Sequence, residues 1–128
     1  MKQHILPGLA IVAVALLPFS RFAAAAPDNT RGMAILFAAL AGDGTTLAGS
    51  GVVSVSHPAQ GQSWVTFDRD VSNCGYYATV ANYSGVLSSG HAATALVSGA
   101  PQVVAVQTRN SAGSAADIGV HLLVFCNK

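Results

Sequence analysis

The sequence predicts an all-β domain, an antiparallel β-sandwich of jelly-roll or Greek-key type with one disulfide. Three observations point there. The chain has no Glu, and beyond residue 25 its only Lys is the final residue, so straight-chain helix formers are scarce while Val, Thr, Ser and Gly abound. Short apolar or alternating stretches recur between Gly-, Pro-, Asn- and Asp-rich turns, at the spacing of about 8–12 residues typical of sandwiches and barrels. Two cysteines, Cys74 and Cys126, lie at the edges of two such stretches.

The N-terminus stands apart from this pattern. Lys2 and His4 precede an apolar run, Ile5–Phe19, and then Arg21 and Ala23–Ala26. That order is the polar start, apolar centre and small-residue cleavage site of a secretory signal peptide. The run is shorter than the roughly 20 residues of a membrane span. Cleavage after Ala25 makes residues 1–25 the leader, 26–31 a polar lead-in and 32–128 the domain. A secreted or periplasmic location follows, with no membrane span after processing.

Within the domain, Met33–Ala41 (MAILFAALA) is apolar on both faces and stops at Gly42-Asp43-Gly44. It reads as a strand that needs cover on both sides, one of which another copy of the chain would supply. Thr45–Ser50 and Gly51–His57 follow, and His57-Pro58-Ala59-Gln60-Gly61 reads as a turn. Gln62–Phe67 alternates, as does Cys74–Ala81. Residues 82–90 read as a loop in which Val86-Leu87 offers a brief pairing. His91–Val97, Gln102–Thr108 and Ile118–Phe125 complete roughly seven to nine strands.

The stretch FDRDVSNC, Phe67–Cys74, gathers three charges in a chain that is only 9% charged. Asp-x-Asp opens many calcium loops, but the Gly and Glu an EF-hand needs at its sixth and twelfth positions are here Asn73 and Thr79. The plainer reading is a connection whose Asp and Asn side chains cap backbone N–H groups, with Arg69 exposed or locally paired. In an oxidising compartment Cys74 and Cys126 read as a disulfide, and alternation turns both toward the core. A redox pair is the rival reading, but no Cys-x-x-Cys spacing supports it.

Other chemistries are thinly supplied. Removing the leader leaves four basic and five acidic side chains, net −1, with no basic cluster for nucleic acid. Gly49-Ser50-Gly51 lacks the outer glycines of a nucleophile elbow. His57, His91 and His121 lack zinc-ligand spacing. No Gly-rich phosphate loop with Lys occurs, and the acids are too few to suggest a glycosidase pair. No catalytic residue, metal or cofactor is expected. Recognition remains, with Trp64, Tyr77 and Tyr83 as aromatic contact residues unless Trp64 and one Tyr simply close the core.

The segments GSGVVSVSHPAQGQSWVTFDRDVSNCGYYATVAN and VVAVQTRNSAGSAADIGVHLLVFC resemble a small domain of exported or surface-associated bacterial proteins. Its marks here are Phe67, Arg69, Asp70, Val71, Ser72 and Cys74, then Ala116, Asp117, His121, Leu122, Val124, Phe125 and Cys126. The resemblance implies a β-sandwich used as a head on fibre-like or collagen-like stalks, oligomeric, trimers included, with no assigned activity. The expected function is therefore a non-catalytic structural or interaction domain. Its partner is itself or a surface protein. The alternative is a carbohydrate-binding module or adhesin.

Overall fold

The computed structural model describes residues 32–83 and 87–127. The leader, the lead-in and the proposed Val86 pairing fall outside the described residues. Eight strands follow one another: β1 Met33–Leu40, β2 Thr46–Ser50, β3 Val52–Ala59, β4 Gln62–Phe67, β5 Gly75–Val80, β6 His91–Leu96, β7 Val103–Arg109 and β8 Val120–Asn127. They form two antiparallel four-stranded sheets, β2-β1-β8-β5 and β3-β4-β7-β6, and the described residues contain no helix. The pairs β1–β8, β4–β7 and β5–β8 join strands distant in sequence. The chain therefore passes between the sheets repeatedly, as Greek-key sandwiches do. The predicted fold class is the observed one.

Alternation explains the core. The inner face of the first sheet offers Leu36, Ala38 and Leu40 from β1 and Val120, Leu122, Val124 and Cys126 from β8, all buried. The second sheet answers with Val65 and Phe67 from β4 and Val104 and Val106 from β7. Because successive side chains point to opposite faces, one register satisfies all of these positions, and a slip of one residue would expose them all.

Three boundaries differ from the sequence reading. His57 and Pro58 belong to β3 rather than to a turn, and the reversal is confined to Gln60-Gly61. Proline is tolerated there because β3 is an edge strand whose ladder shifts register between Ser56 and Ala59, so no pairing N–H is lost. The last strand starts at Val120 rather than Ile118, and the Ala81 N–H donates to the Gly119 carbonyl at 2.8 Å one pair beyond the β5–β8 register. Leu87 lies outside every strand and is fully exposed.

Two glycines are required by position. Gly51 turns the chain from β2 into β3 with φ +74°, and a Cβ there would come within 2.7 Å of Leu36 Cδ2. Gly61 has φ +69°, and a Cβ would lie 2.5 Å from the Thr108 carbonyl oxygen. At both, any side chain would meet left-handed strain and a clash together.

The disulfide joins Cys74, just before β5, to Cys126 in β8, with Cα atoms 4.4 Å apart. In the β5–β8 register Gly75 faces Phe125, so the cysteines are the next opposed pair along the ladder. Their spacing matches a non-hydrogen-bonded antiparallel pair, about 4.5 Å, which brings Cβ atoms closest. Both sulfurs thus sit at the core edge, as alternation predicted.

Candidate functional site

The polar corner FDRDVSNC carries the chain from β4 to β5 and is pinned along its length. Phe67, Asp68 and Val71 donate their N–H groups to the carbonyls of Gln102, Gly51 and Pro101 at 2.9, 2.9 and 2.8 Å. The Asp70 carboxylate accepts from the Ser72 N–H at 2.8 Å and its hydroxyl at 2.6 Å. Arg69 lies 3.5 Å from Asp68, a local pair. Val71 is wholly buried as a plug between the sheets, and its carbonyl accepts the Tyr76 hydroxyl. Every charge faces solvent while Phe67 and Val71 enter the core. The stretch is a structural turn, and among the described residues no group of His, Cys, Asp or Glu could hold a metal ion.

The opposite end holds an arrangement that spacing could not reveal. His57 Nε2 lies 3.3 Å from Asp117 Oδ1, which also accepts the Gly61 N–H at 2.6 Å. The Thr108 N–H donates to Gly61 at 2.7 Å, and its hydroxyl to the Ala116 carbonyl at 2.6 Å. The result ties the β3–β4 turn to the segment before β8. Among the described residues no serine hydroxyl is hydrogen-bonded to His57. The pair's visible work is to hold two connections together.

Two carboxyls are shifted by this local bonding. The Thr45 N–H holds Asp43 below its usual 3.8, and the Ser72 hydroxyl, then its N–H, do the same for Asp70. A folded pKa below the unfolded one contributes stability above the unfolded value, and that contribution is lost as pH falls through the folded value. The Tm is therefore expected to drop on acidification below about pH 4, with a shallower drop in D43N/D70N, as thermal melts across pH would read. Tyr76 behaves oppositely: burial first, then the Asp70 charge, raises its phenol above 10.0, so its contribution is lost in strong alkali.

The largest unexplained feature is the outer face of the first sheet. The β1–β8 and β5–β8 registers set Phe37, Leu123 and Tyr77 in one cross-strand row, and Ile35, Phe125 and Gly75 in the next. Met33 and Asn127 lie beyond, and Ala39, His121 and Thr79 form the row on the other side. Met33, Ile35 and Tyr77 are 60%, 55% and 58% exposed, and Phe37 and Phe125 are more than a third exposed. No Asp, Glu, Lys or Arg stands in these rows. Tyr83 leans over His121 with ring centroids 5.2 Å apart, and between them and Phe37, Tyr77 and Leu123 lies a shallow depression of 250 Å³. The strand expected to need cover on both faces has it on one.

The three aromatic contact residues do not share one surface. Tyr77 and Tyr83 belong to this apolar face, whereas Trp64 stands on the outside of the other sheet, 39% exposed. Neither Trp64 nor Tyr77 closes the core; Tyr76 does so instead, packed against it. Ile35 belongs to the strand expected to meet another copy, whereas Phe125 and Leu123 were missed as surface residues. Their signal was present in the unbroken apolar run of β8, which in a four-stranded sheet with one solvated face should alternate with polar residues.

No protein-family model matches the chain, and neither a curated protein nor a solved structure matches it.

Proposed function

We propose that this chain is a non-catalytic structural or interaction domain of an exported protein, self-associating through the outer face of the β2-β1-β8-β5 sheet. One observation carries the reading: a sheet face without Asp, Glu, Lys or Arg whose central strands expose Met33, Ile35, Phe37 and Phe125 around a half-buried Leu123. Contiguous apolar patches of this kind mark association surfaces, because the water they order is released only when a second surface covers them. A second copy suits the face well, since apolar rows without charges are complementary to themselves under rotational symmetry. Export through the leader and the cross-strand disulfide support the extracytoplasmic setting. A head-like role in a larger surface assembly fits the same reading.

Multi-angle light scattering on the oxidised protein tests it. The expected result is a defined mass above the monomer at high micromolar concentration, dimer or trimer, dissociating on dilution. A strictly monomeric mass throughout would remove the reading.

A further inference from the structure

The outer face of the other sheet differs in kind. There the β3–β4, β4–β7 and β6–β7 registers line up Ser56, Trp64, Ala105 and Ala95 in one row, and Gln62, Gln107 and Ala93 in the next. Three alanine methyls make a low floor, and the indole of Trp64 rises beside it because its neighbours on that row are small. The depression so formed has a volume of 340 Å³ and is lined by Gln62, Trp64, Ala93, Ala95, Ala105 and Gln107 on its open side. None of these six side chains ionises.

One amide in it is oriented. Gln107 Oε1 accepts from Arg109 Nε at 3.2 Å and Nη2 at 3.1 Å. A guanidinium only donates, so the oxygen must face it and the Gln107 amino group faces away, with no acceptor for it among the described residues. Arg109 is itself engaged, since its Nη1 donates to the Gly113 carbonyl at 2.8 Å. Three of its five N–H groups are thus used within the protein, and its guanidinium is not among the side chains that line the trough.

We propose that this trough is a binding site for a neutral saccharide. A pyranose ring has an apolar C–H face and an equatorial rim of hydroxyls. The exposed indole and the methyl floor meet the first; the Gln62 and Gln107 amides meet the second. An acidic glycan would find no cation among the side chains that line the trough. A wholly apolar ligand would strip water from two amides without replacing their hydrogen bonds. The site lies on the sheet opposite the proposed self-association face, so an assembled oligomer would still present it outward.

The chain has a single tryptophan, so its emission reports this site alone. Titrating the oxidised protein with hexasaccharides of glucose, N-acetylglucosamine and mannose should give a saturable change in Trp64 fluorescence with at least one. Polygalacturonate should bind more weakly than that sugar. By calorimetry, Trp64→Ala should weaken the binding at least about tenfold, and Gln107→Ala several-fold. Light scattering on both variants should give an unchanged oligomer mass, which separates this site from the self-association surface. The proposal is overturned by no saturable response to any of the three sugars, by affinity retained in W64A, or by tighter binding of polygalacturonate.

Discussion

Replacing Cys74 and Cys126 together with Ala will lower the stability of the domain by about 4 kcal/mol, with far less effect on the folded topology. The estimate comes from loop entropy: the bridge closes 52 residues, and its removal frees the unfolded chain while the folded ladder keeps its register. Against a total of about 5–15 kcal/mol for an ordinary domain, that is a large share. Two features make the bridge matter here. It joins the residue that leads into β5, an edge strand of the first sheet, to β8. It also clamps the end of the FDRDVSNC corner, where Val71 enters the core. Without it, β5 depends on its ladder to β8 and on the Tyr76 hydroxyl bond to Val71. Thermal unfolding should show the midpoint falling by more than about 15 °C. Alanine rather than serine is the test, because Cys126 is buried and a hydroxyl there would add its own desolvation cost. A loss below about 1 kcal/mol would mean that packing alone holds the sandwich shut.

A single charge on the outer sheet face is expected to abolish assembly. Leu123 sits between Phe37 and Tyr77 in the central row, so Leu123→Lys places an ammonium group where a second copy would have to bury it. An unpaired buried charge costs several kcal/mol, so the dissociation constant should rise by at least about a hundredfold. The lone chain should tolerate the change. Leu123 faces outward, and a lysine can lay its stem along Phe37 and Tyr77 while its head stays in water. Light scattering should therefore report a monomer whose far-UV circular dichroism still has the β form. Retention of the oligomer in this variant would place the contact elsewhere.

The sheet content, the disulfide and the nature of the FDRDVSNC corner were legible because each rests on local signals. Alternation turns Cys74 and Cys126 inward, and Asp70 bonds only two residues away. What escaped depends on contacts between distant segments. Asp117 is 60 residues from His57, and nothing in either neighbourhood announces their approach across the end of the sandwich. Alternation also fixes the side a residue takes without fixing the sheet to which its strand belongs. That is why Trp64 and Tyr77, alike in sequence as single exposed aromatics, stand on opposite outer faces. Pro58 misled for a related reason: it ends a strand in general but not on an edge whose ladder is already irregular.

A photo-crosslinking amino acid at position 125, with one at position 64 for comparison, would locate the self-contact. Irradiating the oxidised protein at high concentration should yield covalent homo-oligomers from position 125, with crosslinks mapping to Met33, Ile35, Phe37 or Leu123 of another copy. Position 64 should yield none. No crosslink from position 125, or equal yields from both faces, would contradict self-association through the β2-β1-β8-β5 sheet.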